Sequence, residues 1–86
     1  MIINKKKLMQ KILDYLNQRI SLDQLVAWAE QCMLEADFEE KHFEEIRDII
    51  ARIGVADVRA FGLTWEDCEA FLNLLGYRAQ IEIVEV

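Results

Sequence analysis

Residues that start or stop a helix are so scarce in this chain that their positions alone divide it. There is no proline, and there are only three glycines, one serine and one threonine. Ser21 opens Ser21-Leu22-Asp23-Gln24, a capping box in which the hydroxyl accepts from the third amide and Gln24 reaches back. Thr64 opens Thr64-Trp65-Glu66-Asp67, the same device with Asp in the fourth place. Asp37, ahead of Phe38-Glu39-Glu40, reads as a third N-cap. Gly54, Gly62 and Gly76 each follow an apolar-periodic segment, where a helix end favours a left-handed residue without a Cβ. These signals agree on a helical protein.

Periodicity places the helices between the same marks. Leu8, Met9, Ile12, Leu13, Leu16 and Ile20 form one stripe, with Lys7, Lys11, Asp14 and Gln18 opposite. Leu22, Leu25, Val26, Ala29, Cys32, Met33 and Ala36 form the second. Phe43, Ile46, Ile49, Ile50 and Ile53 form the third, and Trp65, Cys68, Phe71, Leu72 and Leu75 the fourth. The expected helices cover about residues 4–19, 22–36, 38–53 and 65–75. Residues 55–61 form either a short fifth helix or a loop. The expected core is Leu13, Leu16, Leu25, Val26, Ala29, Met33, Ile46, Ile50, Phe71 and Leu72.

After Gly76 the period changes to two. Tyr77, Ala79, Ile81 and Ile83 alternate with Arg78, Gln80, Glu82 and Val84, which predicts a β-strand over about 77–84. A lone strand leaves main-chain N–H and C=O groups without partners. Met1-Ile2-Ile3 offers one short stub. Otherwise the strand pairs with a second copy across a two-fold or with another protein, or the segment lies as an apolar tail on the helices.

The chain has 86 residues, 53% hydrophobic and 30% charged, which suits one small domain and excludes a disordered tail. No apolar run approaches the ~18 residues of a membrane-spanning helix, and the lysines near the start precede no signal-peptide pattern. Two cysteines are too few for a disulfide scaffold, so a reduced, cytoplasmic protein is expected. The net charge of −6 is unevenly spread. Residues 1–20 hold five bases against one acid, Asp14; residues 21–86 hold five bases against fifteen acids. Glu35, Asp37, Glu39, Glu40, Glu44 and Glu45 crowd one stretch against Lys41 alone. Acids there complement the third helix's dipole, as Arg47 and Arg52 do at its other end, and Asp48 stands in the favourable order to pair with Arg52. The same stretch can steer a basic partner.

Residues 55–75 have helix-turn-helix spacing: Gly62 in the turn, Leu63 after it, Thr64 as cap, and Cys68 and Phe71 on the buried face. With Leu75-Gly76-Tyr77 and the strand, this resembles the tail of small bacterial helix-turn-helix regulators and antitoxins that pair strands across a dimer. That resemblance implies DNA binding. The chain departs from those families at Val58, where they place a small residue, and at Asp57, where they place an apolar one. Glu66, Asp67 and Glu69 on the would-be reading helix repel phosphate, with only Arg59 and Arg78 near to offset them. The charge therefore argues against a nucleic-acid partner.

Catalytic equipment is sparse. Glu39-x-x-His42 has the spacing of di-iron carboxylate helices, but such sites need the motif twice and this chain has one histidine. Cys32 and Cys68 fall on apolar stripes with no local base, as core residues do. The glycines form no phosphate-binding spacing. No enzyme activity, metal or other cofactor is expected. Trp28, at the edge of its stripe, is an interface candidate.

The expectation is a mainly α single domain of four to five short amphipathic helices followed by one C-terminal β-strand. Its expected role is non-catalytic protein binding, as a homodimer through that strand, as an acidic face for a basic partner, or both. The expected contact residues are Trp28, Glu35, Asp37, Glu39, Glu40, Glu44, Tyr77, Ala79, Ile81 and Ile83. In size, charge and class such a chain is similar to bacterial immunity proteins.

Overall fold

The computed structural model describes residues 2–57, 62–80 and 83–85. Strand β1 (Ile2–Ile3) leads into helix α1 (Lys5–Leu16); helix α2 (Leu22–Glu35) follows, then strand β2 (Asp37–Phe38). A single 3₁₀ turn over Glu40–His42 feeds helix α3 (Phe43–Ile53), and helix α4 (Trp65–Leu74) closes the order. The architecture is mainly helical, with a two-residue parallel ladder at one end.

The predicted starts of α2 and α4 are present in full. Ser21 accepts from the Gln24 amide at 3.1 Å while the Gln24 side chain accepts from the Ser21 amide at 2.8 Å. Thr64 and Asp67 make the same reciprocal pair at 3.1 and 3.0 Å. Asp37 is not an N-cap. It lies in β2, its register partner is Ile2, and Phe38 lies opposite Ile3. The third helix therefore starts at Phe43, not at 38. The competing demand came from the N-terminus: Ile3 is only 1% exposed, and its buried main chain needs ladder partners.

Glu39 completes that junction. Its amide donates to the Ile3 carbonyl at 3.0 Å, and its Oε1 accepts from the Lys5 amide at 2.9 Å. Asn4 Oδ1 accepts from the Lys7 amide at 2.8 Å. One residue from a distant loop and one local cap thus serve the unpaired donors at the start of α1. The Glu39 carboxylate also suits the positive end of a helix whose first turn holds only lysines.

Helices α1 and α4 end in the same way. At α4 the Gly76 amide donates to the Asn73 carbonyl at 3.0 Å and the Tyr77 amide to the Leu72 carbonyl at 2.8 Å, with Gly76 at φ 90°. This is a Schellman motif. At α1 the Gln18 amide donates to Tyr15 and the Arg19 amide to Asp14, with Gln18 at φ 62°. The left-handed site there carries a side chain in place of a glycine, so no local residue marks the stop of α1 at Leu16. Gly54 differs from expectation, having φ −60°, and the chain coils on through a turn to the buried Ala56.

The core joins Ile3, Leu8 and Ile12 to Leu25, Ala29 and Cys32 of α2, to Ile46, Ile49, Ile50 and Ile53 of α3, and to Cys68, Phe71, Leu72 and Leu75. Helix α2 packs most extensively on α3. Of the expected core, Leu13 and Leu16 are half-buried and Met33 is 49% exposed. Met33 sits near the end of α2 beside α3, where the apolar stripe turns out from beneath the partner helix.

The strand expected over 77–84 forms no ladder among the described residues. Tyr77 and Ala79 are half-buried against the helices, whereas Ile83 is 94% and Val84 72% exposed. Ile81 and Glu82 lie outside the described residues, as do residues 58–61 of the possible fifth helix.

Replacing Gln18 with glycine removes the Cβ penalty of its left-handed backbone, partly offset by glycine's greater unfolded-state freedom. We expect stability to rise by about 0.5–1 kcal/mol, read as a higher urea midpoint at unchanged slope. A lower midpoint would show that Gln18 carries no such strain.

Candidate interaction surfaces

The fold disperses the acidic stretch. Glu35 ends α2 and accepts from Gln31 Nε2 at 3.4 Å, and Asp37 is exposed on β2. Glu39 turns inward to the α1 start and is half-buried. Only Glu40, Glu44 and Glu45 gather, with Lys41 and Phe43, around one shallow depression of about 440 Å³. All five are exposed. Of the expected contact residues on this stretch, Glu35, Asp37, Glu40 and Glu44 therefore remain accessible, while Glu39 has a structural partner.

The basic residues are largely engaged within the chain. Lys7 Nζ donates to the Ile2 carbonyl at 2.9 Å. The Lys5 ammonium lies 5.6 Å from the centroid of the Tyr77 ring, and that of Lys11 lies 5.7 Å from the Trp28 ring. Such contacts bring cations onto aromatic faces and hold neighbouring elements together. Trp28, expected at an interface, is half-buried on α2 beside a small hollow that it lines with Ile3, Lys7, Gln10 and Lys11. Arg19 pairs with Asp14 at 3.2 Å. Asp48 pairs with its neighbour Arg47 at 3.2 Å instead of with Arg52. Arg52 reaches forward, donating to the Gly62 carbonyl at 2.9 Å and lying 3.5 Å from Asp67 Oδ2. Asp67 is held below the usual carboxylate range by the Thr64 amide, then by the Thr64 side chain and Arg52. Hydrogen bonding from Gln10, then Arg19, does the same for Asp14.

Two apolar openings remain. One, of about 450 Å³, lies between α1, α4 and the tail, lined by Met9, Leu13, Leu16, Trp65, Leu72, Tyr77 and Ala79 with Asn17, Arg78 and Gln80 at its edges. Tyr77 and Ala79 thus serve as its wall. The second, of about 420 Å³, lies between α2 and α3, lined by Met33, Leu34, Ala51, Gly54 and Val55 with Glu30 beside them. Sequence reasoning missed this groove. Its signal was Leu34, which falls beside the stripe one turn after Glu30 and is 86% exposed.

On α4, Cys68 and Phe71 face inward as helix-turn-helix spacing requires, and Glu66 is exposed. Among the described residues no group of three His, Cys, Asp or Glu side chains is placed to hold a metal ion. Glu39 and His42 do not share a helix face, because Glu39 precedes the 3₁₀ turn. No described helix is long and apolar enough to cross a membrane. Compared with family models, curated proteins and solved structures, the chain matches none.

Both cysteines are free and buried. Burial pushes both thiols up, Cys68 to about 11 with a further push from Asp67. They are therefore held as neutral thiols at physiological pH, and a thiolate is the nucleophilic form. A disulfide-exchange reagent at pH 8 should titrate neither cysteine in the folded protein and both in denaturant. Because the folded-state value of Cys68 lies above its unfolded value, its contribution to stability is complete below about pH 8.5 and falls as pH rises towards 11. Rapid labelling of the native protein at pH 8 would contradict this burial.

Proposed function

We propose that this protein is non-catalytic and works by binding protein, pairing with a second copy through its C-terminal segment and presenting an acidic face to a basic partner. The observation that carries the reading is the exposure of Ile83 and Val84, 94% and 72%, on a segment whose earlier residues Tyr77 and Ala79 are fastened to the helices. Two adjacent β-branched apolar residues held in water are costly, and edge-on pairing of extended segments sets each beside a cross-strand neighbour while supplying main-chain partners. Pairing across a two-fold joins like segments, with Tyr77, Ala79, Ile81 and Ile83 forming one face in the alternating pattern.

The acidic face is Glu40, Glu44 and Glu45, which gather around one shallow depression, with Glu35 and Asp37 exposed apart from them. Free buried thiols suit a reducing compartment, so we place the protein in the cytoplasm. The acid-bearing α4 disfavours DNA as the partner: Glu66 stands exposed where a reading helix meets phosphate.

Sedimentation equilibrium at tens of micromolar tests the pairing. The intact chain should run as a dimer, and the double substitution Ile83→Asp with Val84→Asp, at exposed positions, should run as a monomer with unchanged circular dichroism. An intact chain that stays monomeric at that concentration would remove the dimer.

A further inference from the structure

We infer that the hollow between α1, α4 and the tail is a binding site for a small apolar carboxylate, with Arg78 receiving its charged head. This site goes beyond the protein-binding reading and does not include Ile83 and Val84, on which that reading rests.

The apolar stripe of α1 outruns the core. Leu8 and Ile12 are fully buried, whereas Leu13 and Leu16 on the same helix stay half-buried. Trp65, where the stripe of α4 begins, is half-buried in the same way. All three line the hollow, and Tyr77 and Ala79 of the tail wall its remaining side. The chain thus leaves apolar surface around a cavity of about 450 Å³, which a further molecule would gain free energy by covering. Cavities of about 300–1,000 Å³ with mostly apolar walls and a few placed polar groups are the usual form of small-molecule sites.

Charge at the cavity itself selects the occupant. Among the described residues Arg78 is the single charged one lining it, and no carboxylate does. Arg19, Arg47 and Arg52 each pair with an aspartate, but Arg78 has no ion pair among the described residues. A guanidinium presents a planar fork of N–H donors that matches the two oxygens of a carboxylate. Asn17 and Gln80, the other polar lining residues, carry amide N–H groups that also donate to oxygen. A cationic head would meet like charge there, and an alcohol would leave the guanidinium without a counter-charge. An apolar body among Leu13, Leu16 and Trp65 with an anionic head at the Arg78 edge satisfies both halves of the site.

The probes are octanoate, octanol and octylammonium, which share one chain and differ in the head. Each is titrated below its micelle concentration into the full isotopically labelled protein and followed by NMR. Octanoate should shift the Leu13, Leu16 and Ala79 methyl signals, octanol should do so more weakly, and octylammonium should leave them unmoved. Arg78→Gln, at an exposed position, should weaken octanoate about fivefold and leave octanol unchanged. Ala79→Trp, which fills the hollow, should abolish the Leu13 and Leu16 shifts with the circular dichroism intact. Octylammonium binding as tightly as octanoate, or an Arg78→Gln protein that binds octanoate unchanged, would overturn the choice of an anion. Octanoate shifts centred on Met33, Leu34 and Val55, or none at all, would overturn the site. Leu13 and Leu16 signals that move with protein concentration alone would assign the hollow to a second copy. A protein that binds octanoate yet stays monomeric would uphold this site while removing the dimer.

Discussion

The buried Ile3 holds this fold in register. Ile3 lies in the core at 1% exposure, so its main chain must find partners away from water, and the connection between α2 and α3 supplies them. Glu39 serves twice in that connection, closing the ladder through its amide and receiving the first amide of α1 through its carboxylate. The junction adds to the contacts of α1 with α2 and α4 in setting its angle. The same junction delays α3, because residues 37–42 run along β1 and turn before they can coil. The tilted contact of Phe38 with Phe43, ring centroids 5.9 Å apart, covers the bend.

Charge follows from this arrangement. A helix start rich in lysine is unfavourable by itself, and the Glu39 carboxylate with the Asn4 cap offsets it. The lysines in turn reach Ile2, Tyr77 and Trp28, bracing β1, the tail and α2 against α1. Three of the α1 lysines are thereby held at the seams of the molecule, while Glu40, Glu44 and Glu45 stay exposed. Among the described residues, exposed acids stand beside apolar surface at the end of the tail, and the functional reading rests on that combination.

What could be read in the sequence was local. The boxes at Ser21 and Thr64 and the Schellman end at Gly76 each depend on residues within a few positions, and all three are in place. The stripes correctly carried Leu25, Ala29, Ile46, Ile50, Phe71 and Leu72 into the core. Nonlocal effects were hidden. Asp37 has every local mark of a cap, yet a strand from the other end of the chain recruits it. Gln18 takes a left-handed site usually held by glycine, so α1 runs on in the pattern but not in space. Met33 obeys the helical period, but α3 does not extend over it. Residues 77–80 alternate as a strand does, but a strand is defined by its neighbour, and this chain offers none among the described residues. Pattern alone marks Glu35, Asp37, Glu40, Glu44 and Ile83 as exposed, and they are, whereas Glu39 and Trp28 are half-buried by partners distant in sequence.

Native-state hydrogen exchange, resolved residue by residue, tests the junction most directly. The first amide of an isolated helix ordinarily exchanges freely, since it has no partner inside the helix. Here the Lys5 amide should be protected together with that of Glu39, and Glu39→Ala should release Lys5 while the amides of Ile46 to Ile50 stay slow. A Lys5 amide that exchanges at the open-chain rate in the unaltered protein would contradict the account.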